Sequence, residues 1–366
     1  MVFLSAGMAL TQSPDDVSGH YIVVLKNGVE NPAQAAVEIS RRNDAEVGFV
    51  YRNAIKGFSA VIPNSRVAEV RADDSVDYVE RDGKMEIVAQ TLPWGIDRID
   101  ADKSSTSAGN GSGAVSSVNA YIIDSGIYLH ADLNVVGHVN FAGGKNTDCN
   151  GHGTHVAGTV AARDDTSYVV GAAPGAPLTG VKVLGCNGSG STSGVIKGVD
   201  WVTANAAEPA VANMSLGGGA SKALDDAVRR SATSGVFYSI AAGNSSANAC
   251  NYSPARAGAG TNNGIVTTAA TNSGDKEASW SNYGSCVDTW APGVGVLSTK
   301  KGGGTTTYSG TSMASPHVSG TGALYLSTHT GASPATAEGA LQAAETTPGT
   351  TSKDGSQIEL LYAGSF

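Results

Sequence analysis

The chain of 366 residues is short of charge and of aromatic side chains. Charged residues make up 15% and aromatic residues 6%, against roughly 25% charged in an ordinary soluble domain. With 23 Lys and Arg against 32 Asp and Glu, the formal net charge is −9. That balance excludes a polyphosphate-tracking surface, so nucleic acid is not an expected partner. It also disfavours an anionic membrane surface. No run of about 20 apolar residues, the length a spanning helix needs, occurs. Residues 302–337 hold no Asp, Glu, Lys or Arg but are rich in Gly, Ser and Thr. The four cysteines, Cys149, Cys186, Cys250 and Cys286, include no C-x-x-C pair, which argues against a zinc site. Two disulfides formed in an oxidising compartment fit an even count, and sequence alone leaves three pairings open.

Glycine, by contrast, is abundant: 48 residues, with no three-residue period, so a collagen-like helix is excluded. Charge is unevenly spread. Nine of the Lys/Arg and thirteen of the Asp/Glu fall within the first 90 residues, which suggests two modules. Residues 1–19 read as a truncated signal or leader, with a short apolar run Val2–Leu10 but no basic start. In residues 20–90, strands are expected at Tyr21–Leu25, Val47–Tyr51, Gly57–Ile62, Val76–Glu80 and Met85–Val88. Helices are expected at Pro32–Arg42 and from Asn64, as cap, to Val70. That alternation fits a small α+β ferredoxin-like domain.

From residue 91 onward, apolar strands alternate with helical stretches. The strands are Val118–Ile123, Leu178–Leu184, Val211–Met214, Val236–Ala241 and Ile265–Ala269. The helices are Val195–Asn205, Leu224–Ser234, Met313–Ser327 and Pro334–Ala344. The pattern predicts an α/β domain with a mostly parallel sheet and helices on both faces.

Three islands carry chemistry. Asp124 closes an apolar strand in IIDSG, where open parallel sheets place ligands. His152 and His155 sit in NGHGTHVAG at the entry of a helix of small residues. Ser312 enters another helix in GTSMASPH, with Pro316 in its first turn. Each has a plain alternative: a turn aspartate, a packed histidine, a serine cap. Together they supply a nucleophile, a base and a carboxylate that orients the base. A metal site on His152 and His155 lacks a His-Glu-x-x-His frame and a third ligand. The Gly-x-Ser-x-Gly elbow is absent, since position 314 is Ala. The order Asp, His, Ser is that of subtilisin, not that of chymotrypsin or the α/β-hydrolases.

The motifs IIDSGI, NGHGTHVAG, ANMSLGGG, AAGN, ACNYSPAR, SNYGSCVD and GTSMASPH resemble those of subtilisin-like serine peptidases of the proteinase K type, and of aqualysin-like bacterial enzymes in particular. The resemblance runs from about Pro93 to the C-terminus. Residues 20–90 resemble the inhibitor and chaperone propeptide of such enzymes, and residues 91–366 the catalytic domain.

The resemblance implies a secreted, monomeric endopeptidase made as a self-processing zymogen. Its partners would be protein and peptide substrates and its own propeptide, acting as an intramolecular inhibitor. Asp124 would orient His152 as general base, Ser312 would be the nucleophile, and Asn244 would donate to the oxyanion. Ser215, Leu216 and Gly217, with Gly188, Ser189 and Gly190 opposite, would pair with an extended peptide. The primary pocket, between Ser215–Gly217 and the Ala241, Ala242 and Gly243 wall, would admit bulky apolar or aromatic side chains. The resemblance pairs Cys149 with Cys186 and Cys250 with Cys286. It also implies structural calcium at Asp288 with backbone oxygens near Asn263 and Ile265, although GAGTNNG at residues 258–264 departs from the family there. Cleavage is expected near Gln90–Thr91, with the strand ending at Gln90 held in the cleft beforehand. The alternatives are a sedolisin-type peptidase, which needs a Glu where His152 stands, and a silent peptide-binding homologue.

Overall fold

The computed structural model describes residues 19–82 and 90–366. They form two compact units, one on each side of that break. The expected strand Met85–Val88 lies outside the described residues.

The first unit runs β1 (His20–Leu25), α1 (Pro32–Arg42), β2 (Glu46–Tyr51), β3 (Gly57–Val61), α2 (Val67–Arg71), β4 (Val76–Arg81). Its antiparallel sheet has the order β2-β3-β1-β4. Asn31 caps α1 through its side chain, and Pro32 occupies the first turn, where a missing N–H is harmless. The apolar face of α1 buries Ala36 and Ile39 against Tyr21, Val23 and Phe58. One expectation fails here. Asn64 does not cap a helix: it is the first residue of a 3-10 turn, Asn64–Arg66, that follows Pro63 and has no side-chain cap. Its side-chain oxygen is turned instead to the Tyr21 hydroxyl, at 3.0 Å.

The second unit opens with α3 (Trp94–Arg98) and continues β5 (Asn119–Asp124), β6 (Val135–Asn140), α4 (His152–Ala161), β7 (Leu178–Lys182), α5 (Thr192–Asn205), β8 (Ala210–Met214). Then come β9 (Gly218–Gly219), α6 (Lys222–Thr233), β10 (Val236–Ala241), β11 (Tyr252–Ser253), β12 (Ile265–Thr271), β13 (Thr289–Pro292), β14 (Val296–Thr299), β15 (Thr305–Tyr308), α7 (Thr311–Thr328) and α8 (Pro334–Ala344). Seven strands form a sheet in the order β13-β12-β10-β8-β5-β7-β6, and every pairing is parallel. The edge strands β6 and β13 escape a hydropathy reading. Strand β13 has only four residues, and β6 is only half-buried and carries polar residues.

Alternation along the strands splits the core in two. Ile122, Val211, Phe237 and Val266 meet α4 and α7 on one face. Ile123, Ala212, Tyr238 and Ile240 meet α5 and α6 on the other. A strand buried on both faces has no polar side to show, so its sequence reads as an unbroken apolar run. Disulfides join Cys149 to Cys186 and Cys250 to Cys286, as the family resemblance implies. In the chain-entropy description each closes a loop worth roughly 4 kcal/mol.

At the start of this unit Gln90 donates its side-chain amide to Arg163 O at 2.9 Å. The Thr91 N–H donates to Tyr168 O at 2.7 Å, and Thr91 bridges Val169.

Phe237 is fully buried, and its ring packs where Gly322 of α7 leaves room. Phe237→Ala is expected to lower unfolding stability by about 3–5 kcal/mol, read by urea titration in a Ser312→Ala background.

Candidate active site

Asp124 ends β5 and is fully buried. His152 opens α4, preceded by Gly151 at φ 111°, a left-handed conformation that suits glycine. The His152 Nδ1 lies 2.8 Å from Asp124 Oδ1 and 3.0 Å from Oδ2. The Ser125 N–H donates to the same Oδ1 at 2.6 Å. Burial disfavours the imidazolium. The Asp124 charge, its hydrogen bond and a further contribution from Asp148 outweigh that and raise the His152 pKa above the ordinary value. Nδ1 is thereby fixed as the proton-bearing nitrogen, and Nε2 is left to accept.

The close approach of α4 to β5 depends on Gly153. A Cβ there would collide with Gly126 O and lie 3.2 Å from the Asp124 Cβ.

His155, one turn on, has a different environment. Its Nε2 donates to Val296 O or Thr306 O, at 3.0 and 3.1 Å, and its ring stacks on Tyr308. Burial pushes its pKa down to about 4, so it stays neutral. The two histidines therefore face different partners, and no group of three or more His, Cys, Asp or Glu suited to a metal occurs among the described residues.

Ser312 is the second residue of α7, in the turn whose N–H groups lack intrahelical acceptors. Its Oγ donates to Ser215 O at 3.2 Å, while the Ser215 hydroxyl donates to Ser312 O at 2.7 Å. No hydrogen bond joins Ser312 to His152 in this arrangement, yet both line one cavity of about 430 Å³. Gly188, Ser189, Gly190, Ser215, Leu216 and Gly217 line it too. A second cavity of about 340 Å³ shares Leu216, Gly217 and Ser312 and adds Ala241, Ala242, Gly243 and Asn244. No Lys, Arg, Asp or Glu lines either. The Asn244 Oδ1 accepts from the Thr311 N–H and hydroxyl, each at 2.9 Å. Its orientation is set by those donors, and its NH₂ remains to donate.

The residues expected to hold calcium flank the first half of β12. Asp288 Oδ2 accepts the Thr267 N–H at 2.7 Å, and burial raises its pKa to about 8. Asn263 turns both side-chain atoms to the backbone, of Gly258 and Ile265, so only its carbonyl is left for a cation. Ile265 opens β12. Sequence reasoning missed Glu338 of α8, fully buried, whose carboxylate accepts the N–H groups of Asn262, Asn263 and Gly264 at 2.9, 2.6 and 2.6 Å. It also missed Asp148 and Lys182. The signal for Lys182 was present, as a lone charge inside an apolar strand.

The chain matches the Subtilase family model over residues 118–358 and the peptidase inhibitor I9 model over residues 20–88. It is 41% identical to the alkaline serine exoprotease A of Vibrio alginolyticus, over 97% of this chain and 69% of that one. It is likewise 41% identical to an extracellular serine proteinase of a Thermus species, over 90% and 85%. A cold-adapted subtilisin-like serine proteinase of known crystal structure is 43% identical, with a TM-score of 0.65, covering 74% of this chain and 97% of that one. The chain belongs to the subtilase family and is an extracellular serine protease with an N-terminal I9 inhibitor segment.

Gly153→Ala is expected to push α4 away from Asp124 and cut kcat by 10²-fold or so, the cost of about 1 Å of misplacement, with circular dichroism unchanged.

Proposed function

We propose that this protease is an endopeptidase of broad specificity that cleaves through an acyl-enzyme on Ser312. The observation that carries the reading is the hydrogen bond from His152 to the buried Asp124, with His152 and Ser312 lining one cavity. Rotation of the Ser312 side chain away from Ser215 O turns Oγ toward His152 Nε2. As Oγ attacks the substrate carbonyl carbon, its proton passes to Nε2, and Asp124 stabilises the imidazolium. The carbonyl oxygen becomes an oxyanion, held by the Asn244 NH₂ and the Ser312 N–H. Collapse breaks the C–N bond, and the imidazolium gives its proton to the leaving amine. Water, deprotonated by His152, then hydrolyses the ester and restores Ser312.

An extended substrate would pair through main-chain bonds with residues 188–190 and 215–217, which explains breadth. The uncharged cavity beside Ala241–Gly243 favours a bulky apolar or aromatic residue before the cut. Residues 20–90 act as the intramolecular inhibitor, and cleavage near Gln90–Thr91 releases residues 91–366 as a monomer. The relatives named above are called proteases, and nothing favours a silent binding homologue; the imidazole at position 152 likewise opposes a sedolisin-type site.

Calcium would be held by Asp288 with the backbone oxygens of Asn263 and Ile265. The hard-oxygen donor set and a buried carboxylate with no Lys or Arg partner among the described ion pairs fit such an ion. When bound, it supplies positive charge that fixes the loop before β12 and takes no part in bond cleavage.

Intact mass after treatment with a fluorophosphonate tests the function: the expected product starts near Thr91 and carries one adduct on Ser312. Ser312→Ala is expected to stay full-length and unlabelled, and normal processing in that variant sinks the reading. Asn244→Ala is expected to lower kcat by about 10²–10³, the cost of one oxyanion donor, with little change in KM. Activity is expected to rise with pH through a midpoint above the ordinary histidine value, since the raised group must lose its proton to act. Chelation is expected to lower the Tm of the wild type but not of Asp288→Asn, followed by calorimetry.

A further inference from the structure

We propose that Asp148 and Lys182, a pair of buried opposite charges that clasp Ser125 from two sides, are positioning residues of the reaction. They hold Asp124 against His152 and set the pH range in which His152 accepts a proton. The inference rests on the reading of Asp124, His152 and Ser312 as the reacting set.

Asp148 is 2% exposed and lies in the loop before α4. Its Oδ1 accepts the Ser125 hydroxyl at 3.0 Å and the N–H groups of Asn150 and Gly151 at 2.9 and 2.8 Å. Its Oδ2 accepts the Thr154 N–H at 3.0 Å and hydroxyl at 2.5 Å. Five donors from two segments thus converge on one carboxylate. Four of them belong to the start of α4 and the turn before it, and the fifth follows Asp124 directly. The Ser125 Oγ in turn accepts the Gly153 N–H at 2.9 Å. Asp148 is therefore the tie between the segment that carries the carboxylate and the helix that carries the base.

Lys182 holds the same residue from its other end. It ends β7, is 1% exposed, and donates its ammonium to Ser125 O at 2.7 Å and Leu184 O at 2.9 Å. The Asp124 carbonyl is bound to the next residues of the same strand end, through the N–H groups of Val183 and Leu184 at 2.8 and 3.1 Å. A charge removed from water persists only where other charges or dipoles compensate it. No carboxylate touches this ammonium among the described residues; Asp148 and Asp124 act on it through space. A plain packing role needs no charge at that position, and a methionine or leucine would fill the space without that cost.

The charged and titratable groups around His152 are Asp124 on β5, Asp148 before α4, His155 on α4, Lys182 on β7, His138 on β6 and Lys301 on the β14–β15 turn. His138 and His155 are both driven toward neutrality by burial. Lys301 is tied to Cys149 O at the surface side. The carboxylates of Asp124 and Asp148 favour the imidazolium of His152, and the Lys182 ammonium, which both carboxylates attract, offsets part of their charge.

The two charges therefore make opposite predictions in the full-length, self-processing chain. Asp148→Asn is expected to move the acid limb of kcat/KM to lower pH by about half a unit, and Lys182→Met to move it to higher pH by a similar amount, the scale of a charge just beyond direct contact. Lys182→Arg keeps the charge and should keep the limb in place. Ser125→Ala keeps both charges and cuts the tie, so it should lower kcat by roughly 10-fold to 100-fold at an unchanged limb. The profiles are read with a neutral peptide and by the rate of fluorophosphonate labelling. An acid limb that stays put in Asp148→Asn, or that moves the same way in both charge-removing variants, overturns the proposal. If Lys182→Met does not fold, the Asp148→Asn, Lys182→Arg and Ser125→Ala arms decide. Absence of hydrolysis and labelling in the wild type overturns the underlying reaction as well, and so is told apart from failure of the positioning role alone.

Discussion

The hydrogen bond between a fully buried aspartate and the first histidine of a helix is the constraint that organises this protease. A carboxylate without water must be satisfied by donors of fixed position, and Asp124 has two: the imidazole of His152 and the N–H of Ser125. Those donors lie on different segments, so strand and helix must meet within a narrow tolerance. A glycine at position 153 permits the approach, and the tight turn at Gly126 returns the chain beneath it. The parallel sheet then does the rest. It places the carboxyl ends of β5, β8 and β10 side by side, so that Asp124, Ser215 and the turn bearing Asn244 open on one edge.

The oxyanion side of the site depends on the same edge but on different forces. Helix α7 is buried almost throughout, from Thr311 to Leu326. Its axis is therefore set by packing on Phe237 and α4, and its first turn is carried to the cleft by that packing. Thr311 uses both its N–H and its hydroxyl to orient Asn244. In the proposed reaction the neighbour of the nucleophile would thus aim the group that receives the developing charge, with no reorganisation needed when the charge appears.

Much of this was legible in the sequence because the central strands of the sheet, such as β5, β8 and β10, are largely apolar on both faces. The Asp124, His152 and Ser312 islands stood out since each combines a reactive residue with a helix start or strand end. The cleft segments and the cysteine pairs came from family likeness, which local pattern alone would not have supplied. What stayed hidden has physical reasons. Asn64 looked like a cap, but it opens a 3-10 turn and its oxygen is turned to a tyrosine 43 residues away. Asp148 carries no local signal, because its five donors exist only once β5 and α4 meet. Glu338 sits on an otherwise unremarkable helix, and its role depends on a loop more than 70 residues earlier that folds its N–H groups inward. Long-range polar satisfaction leaves no periodic trace.

The bond between Cys149 and Cys186 joins the turn just before His152 to the loop just before Gly188. These are two walls of the same cleft, with Asn150 donating across to Cys186 O at 3.0 Å. The cell interior keeps thiols reduced, so a chain that folded there would have those walls joined by weaker links alone. Export thus completes the tool as well as delivering it. The place where digestion is harmless to the producer is also the place where the cleft acquires its covalent frame.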